Sequence, residues 1–189
     1  MTTLTTAARR RCYQPLLAAV LLLASSPLLL AETAAPKPSC DDPPYRLLDF
    51  WVGEWRVVDE AGVHQGDNRI EKILNGCAIL EHWTGNGGSE GKSLFYLDRA
   101  AGHWKQVWVT DNATRPGGLK EKHLIEKLEQ GAVRFQGVIQ RPDGSSYLDR
   151  TTLSPQPDGS VRQHIQTSAD DGVTWRAGWV GIYRPQSQP

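Results

Sequence analysis

Methionine is almost missing from this chain of 189 residues: Met1 is its only one. Cysteine is scarce, with three in all. No charge sign dominates, because 21 Lys+Arg stand against 21 Asp+Glu. That balance excludes the basic footprint of a nucleic-acid binder. The chain has no Gly-x-Ser-x-Gly elbow, no phosphate loop and no nucleophilic Cys–His pair. Its histidines, His64, His82, His103, His123 and His164, show no His-x-x-x-His spacing. Each therefore reads as a surface imidazole, and neither a metal nor a cofactor is expected.

Long apolar runs are also lacking, except one near the start. Arg9, Arg10 and Arg11 precede an apolar stretch over 15–31, centred on 16–23 and broken at Pro27. A basic start, a short apolar run and small residues describe a secretory signal peptide. An uncleaved anchor is the alternative, but a full span needs about 20 apolar residues. The expected organisation is a signal peptide over 1–31, a Pro/Ala linker over 32–44, a β-domain over 45–184 and a polar tail over 185–189. The chain is expected in the periplasm or outside the cell, with no membrane contact after cleavage.

The leader carries three of the Lys+Arg and none of the Asp+Glu, leaving 18 against 21 and a net charge of −3. Cys12 departs with it. Cys40 and Cys77 remain, an even pair in an oxidising compartment. A bridge between them would close a loop of about 38 residues, worth ~4 kcal/mol in the chain-entropy picture. Two free thiols are the other reading.

Beyond the linker, 45–50 suits a short helix, with Asp42 as cap and Pro43 at its first position. This helix would close one end of a barrel. From Gly53 onward the apolar period is two. Strands are expected over 54–59, 64–74, 77–84, 93–97, 103–110, 119–129, 132–140, 146–153, 161–168 and 173–183. The segment 119–129 is ambiguous, since Leu124, Ile125 and Leu128 also allow a helix. Asn75-Gly76 and three Asp-Gly turns, at 143–144, 158–159 and 171–172, mark hairpins. A meander of ten short strands must close to protect its edges. The fold class is therefore all-β, an antiparallel up-and-down barrel of about ten strands with a short N-terminal helix. A barrel of that size can hold a small ligand.

Alternation groups Cys77, Ile79, Glu81 and Trp83 on one face, with Trp104, Gln106 and Trp108 on a second strand. Trp175, Ala177, Trp179 and Gly181 group on the last. These residues either line a cavity or fill a core. A buried Glu81 must pair or shift its pKa upward, with Arg150 or Arg162 as candidate partner. The expected ligand contacts are Glu81, Trp83, Trp104, Gln106, Trp108, Arg150 and Trp179.

Gly53-Glu54-Trp55 at the head of the first strand resembles the Gly-x-Trp start of lipocalins and calycins. In those folds a basic residue of the last strand caps the tryptophan, and Arg184 or Arg176 would take that role. A wider set comprises Phe50-Trp51-Val52-Gly53-Glu54-Trp55, Asn75-Gly76-Cys77-Ala78-Ile79-Leu80-Glu81-His82-Trp83, Trp104-Lys105-Gln106-Val107-Trp108-Val109, Val161-Arg162-Gln163 and the run from Ser168 to Trp175. Together, over about 45–184, these are similar to a bacterial family of exported lipocalin-like domains without an assigned activity. His164 and Ile165 depart from that pattern. The resemblance implies a calycin-type barrel and transfers no catalytic residue. Ten-stranded nitrobindin-type barrels ligate haem through a histidine, but the sequence gives no positive signal for it.

Ser168-Ala169-Asp170-Asp171-Gly172-Val173-Thr174-Trp175 fits the Asp-box pattern, a structural hairpin rather than a hydrolase signature. Three readings follow. The first is a barrel binding a small, partly apolar molecule, with no catalysis. The second is a calycin-type isomerase or cyclase using Glu81 as acid or base. The third is a filled-core interaction domain. The oligomeric state is left open.

Overall fold

In the computed structural model the described residues are 40–111 and 118–186. The expected signal peptide, most of the linker, the loop over 112–117 and the end of the tail lie outside them. Ten strands form one closed barrel: β1 (Gly53–Val58), β2 (His64–Ile73), β3 (Ala78–Gly85), β4 (Glu90–Asp98), β5 (His103–Thr110), β6 (Leu119–Lys127), β7 (Val133–Gln140), β8 (Ser146–Pro155), β9 (Val161–Ser168) and β10 (Arg176–Pro185). Every neighbouring pair is antiparallel, and β1 pairs with β10 to close the ring. This is the lipocalin-like, up-and-down architecture expected. Closure leaves no unpaired sheet edge.

Turn chemistry sets the strand ends. Asp143 Oδ1 accepts from the Ser145 amide at 2.9 Å, and Asp158 Oδ1 accepts from the Ser160 amide at 3.0 Å. The glycines beside them, Gly144 and Gly159, adopt φ of 82° and 80°, which side chains resist. Three register shifts interrupt the ladders, at Val57/Val58, Leu124/Glu126 and Ala177/Trp179.

One end of the barrel is filled and covered. The expected short N-terminal helix is built of two 3-10 turns, Pro43–Arg46 and Asp49–Trp51. Asp42 makes no side-chain cap; its carbonyl accepts from the Tyr45 amide at 2.9 Å. Trp51 is fully buried beneath the strands, edge-on to Phe95 at 5.3 Å and to Tyr183 at 5.9 Å. Phe95 meets Phe135 at 5.5 Å. Leu48, Trp55, Val57, Ile70, Ile79, Trp104, Val133, Leu153 and Val161 complete this core. The Cys40–Cys77 disulfide ties the lead-in to the turn between β2 and β3. Lys72 on β2 pairs with Asp49 at 2.5 Å, holding the second 3-10 turn down.

The structure departs from several expectations. Cys77 belongs to the turn before β3, because the bridge to Cys40 holds it there. Trp175 and Ala177 do not face inward. β10 begins at Arg176, and the bulge at Gly178 pairs Ala177 with Gln166 but Trp179 with Ile165, which turns the preceding residues outward. The sheet takes in the first tail residue, Pro185, which pairs with Trp55, and the Gln186 amide beyond it donates to the Glu54 carbonyl at 2.9 Å. Neither proposed arginine caps Trp55. Arg184 pairs with Arg56 on the solvent side, and Arg176 pairs with Thr167 on β9. Trp55 Nε1 instead donates to the Trp51 carbonyl at 2.9 Å.

Candidate functional site

The other half of the barrel is open. A cavity of about 240 Å³ lies there, lined by residues that include Glu81, Trp83, Gln106, Lys122, Trp179 and Tyr183. It is open because its large side chains lie against glycines. A Cβ on Gly91 would stand 2.2 Å from the Trp108 ring, one on Gly181 2.1 Å from the Trp179 ring, and one on Gly66 2.7 Å from the Trp83 ring. Real side chains cannot approach so closely, so each indole occupies the space a neighbouring side chain would fill. The indoles form walls rather than a plug. Trp83 and Trp179 meet edge to face at 6.1 Å.

Beneath these walls is a polar layer. Glu81, Asn68, Ser93, Gln106, Lys122, Asp149, Thr151 and Gln163 are all buried. Asn68 Nδ2 donates to Glu81 Oε1 at 2.8 Å, and Gln106 Nε2 donates to Ser93 Oγ at 3.1 Å. Burial pushes the Glu81 carboxyl above its usual range, against hydrogen bonds from Ser93 and Asn68 and the charge of Lys122. The Tyr183 hydroxyl donates to Gln163 Oε1. Burial, and then the Glu81 charge, push the Tyr183 phenol well above its usual range.

On the facing wall two lysines share one carboxylate. Lys122 Nζ stands 2.5 Å from Asp149 Oδ1 and Lys120 Nζ 2.6 Å from Asp149 Oδ2. Lys122 Nζ also donates to Thr151 Oγ1 at 2.6 Å. The lysines are on β6 and Asp149 is on β8, with β7 between them. Gly137, the β7 partner of Asp149, has no side chain to intervene. Burial lowers the Lys122 ammonium to about 8 despite Asp149. Burial raises the Asp149 acid, but the two ammonium groups outweigh it and hold Asp149 below its usual range.

Of the expected site residues, Glu81, Trp83, Gln106, Trp108 and Trp179 meet at this cavity. Trp104 does not. It faces inward at the covered end, where its Nε1 donates to the Pro44 carbonyl at 2.9 Å and anchors the first 3-10 turn. Arg150 is outside the barrel, because Asp149 and Thr151 take the inward positions of β8. It lies 3.8 Å over the Trp175 ring and donates to Gln166. Arg162, the other candidate partner of Glu81, bridges Glu60 on the exterior. The sequence reading missed Asn68, Lys120, Lys122, Asp149, Thr151, Gln163 and Tyr183. Parity with Leu124 was the available signal for the lysines: in a strand, residues 120, 122 and 124 share a face.

Among the described residues no group of His, Cys, Asp and Glu is arranged to hold a metal. His82 is external, between Glu71 at 2.8 Å and Lys92 at 2.9 Å. The Asp-box forms a hairpin at the open rim: Asp170 accepts from the Thr174 amide at 2.9 Å, and Trp175 Nε1 donates to the Gly172 carbonyl at 3.0 Å. No protein-family model matches the chain, and no curated protein shows significant sequence similarity to it.

Proposed function

We propose that this chain is an exported, lipocalin-like binding protein whose lumen holds one small, partly apolar molecule. One observation carries the reading: three tryptophans stand as walls over glycines, leaving a cavity above a buried polar floor. Apolar walls with a few placed polar groups are what a small-molecule site requires. The disulfide supports export, because such bridges persist in oxidising compartments.

A thermal-shift screen against a metabolite panel tests this reading. A true ligand at about a hundred times its Kd stabilises by ~2.7 kcal/mol. The same ligand should not shift a Gly91→Leu variant, in which Trp108 is forced off its glycine and into the lumen. Equal shifts in both proteins would place the ligand elsewhere.

A second reading, proton transfer by Glu81 in an isomerase- or cyclase-type reaction, is favoured by its place on the cavity wall and by its raised acid range. It requires turnover that is lost in Glu81→Gln while ligand binding persists.

A further inference from the structure

The charged wall narrows the chemistry of the ligand. We propose that the cavity takes a small aromatic carboxylate with a ring N–H or O–H, its carboxylate on Lys120 and Lys122 and its ring between Trp83, Trp108 and Trp179. This rests on the reading of the lumen as a small-molecule site.

Charge on this wall favours an anion. Lys120 and Lys122 together face a single carboxylate, and both oxygens of Asp149 are already engaged. An ammonium has three N–H donors. Lys120 spends one on Asp149, while Lys122 spends its donors on Asp149 and Thr151. Donors and one unit of positive charge are therefore left on this wall. Tyr147 on β8 also acts on Lys120 and Asp149; across the cavity the titratable groups are Glu81 on β3 and Tyr183 on β10. Burial favours the neutral form of both. An entering carboxylate would accept the donors that Asp149 leaves free on Lys120.

The cavity also holds an unmet acceptor. Gln106 Oε1 is buried and has no hydrogen-bond partner among the described residues, while Gln106 itself lines the cavity. A buried acceptor without a donor is costly. A ligand N–H or O–H removes that cost.

The shape of the cavity favours a ring. An apolar cavity of about 150 Å³ holds benzene. The 240 Å³ here suits one substituted ring or two fused rings. Indole walls meeting such a ring edge-on or offset give the favoured aromatic geometries. An aromatic cage can also hold a cation, but the two ammonium groups on the wall oppose one.

The test compares indole-3-acetate, indole-3-acetamide and tryptamine by titration calorimetry at pH 7. They share one ring and one ring N–H and differ in charge. Indole-3-acetate should bind at least about tenfold tighter than the amide, the effect of a charge-assisted contact, and tryptamine should be weakest. Lys120→Met should bring the acetate within about threefold of the amide, and Lys120→Arg should keep the preference. Lys120 is near the rim, and melting curves establish that both variants fold. Equal affinity of acetate and amide would overturn the charge inference while leaving the lumen a binding site. Tightest binding of tryptamine would assign the site to cations instead. Absence of binding by all three overturns the inference, and a blank metabolite screen beside it removes the lumen reading as well.

Discussion

At Glu81 two demands oppose each other. Burial favours the neutral acid, while Asn68, Ser93 and Lys122 favour the carboxylate, and burial prevails. The folded protein therefore holds a proton more tightly there than the unfolded chain does. Above the ordinary value of 4.5, the native state binds more protons than the unfolded state, so this residue's stabilisation is lost as pH rises towards its folded value. Glu81→Gln should flatten the dependence of Tm on pH above that point and raise Tm at pH 7. Parallel curves for variant and wild type would contradict this. Lys122 makes a separate case. Lys122→Met leaves Asp149 with one ammonium and should cost about 3 kcal/mol in urea unfolding, as breaking a buried pair does. Lys122→Met combined with Lys120→Met and Asp149→Leu should recover at least half of that loss, since an apolar replacement of the whole ionic group is tolerated.

The elements were legible where turn chemistry and period agreed. The Asp-Gly hairpins and the alternation in 77–84 and 103–110 pointed to β3 and β5, and with them to Glu81, Trp83, Gln106 and Trp108 on one face. Bulges were not legible. Gly178 looks like any strand residue, yet it reverses the facing of Trp175 and Ala177. Depth was not legible either: alternation tells inside from outside but not the covered end from the open end, and Trp104 was misassigned for that reason. The charged lumen escaped because Lys120, Lys122 and Asp149 read as solvated positions until β7 is seen to narrow at Gly137. The Asp-box hairpin is a stabilising element on this account. Asp170→Ala removes its acceptor for Thr174 and Ser168, and should lower stability by about 1–2 kcal/mol. Ligand affinity should be unchanged in the same titrations.

For the barrel as a whole, the two ends have separate duties. The covered end carries the aromatic core, the 3-10 turns and the disulfide, and the open end carries the cavity. Replacing Cys40 and Cys77 by serine should therefore cost up to about 4 kcal/mol of stability. It should leave ligand affinity within about twofold, as calorimetry on the folded variant can establish. The central claim is that the open half holds a small molecule, and native mass spectrometry of the protein purified with its disulfide intact tests this most directly. The account predicts a minor or major species heavier than the polypeptide by one small organic acid, lost on denaturation and absent from Gly91→Leu. A bare polypeptide mass, with no gain on adding indole-3-acetate, would contradict it.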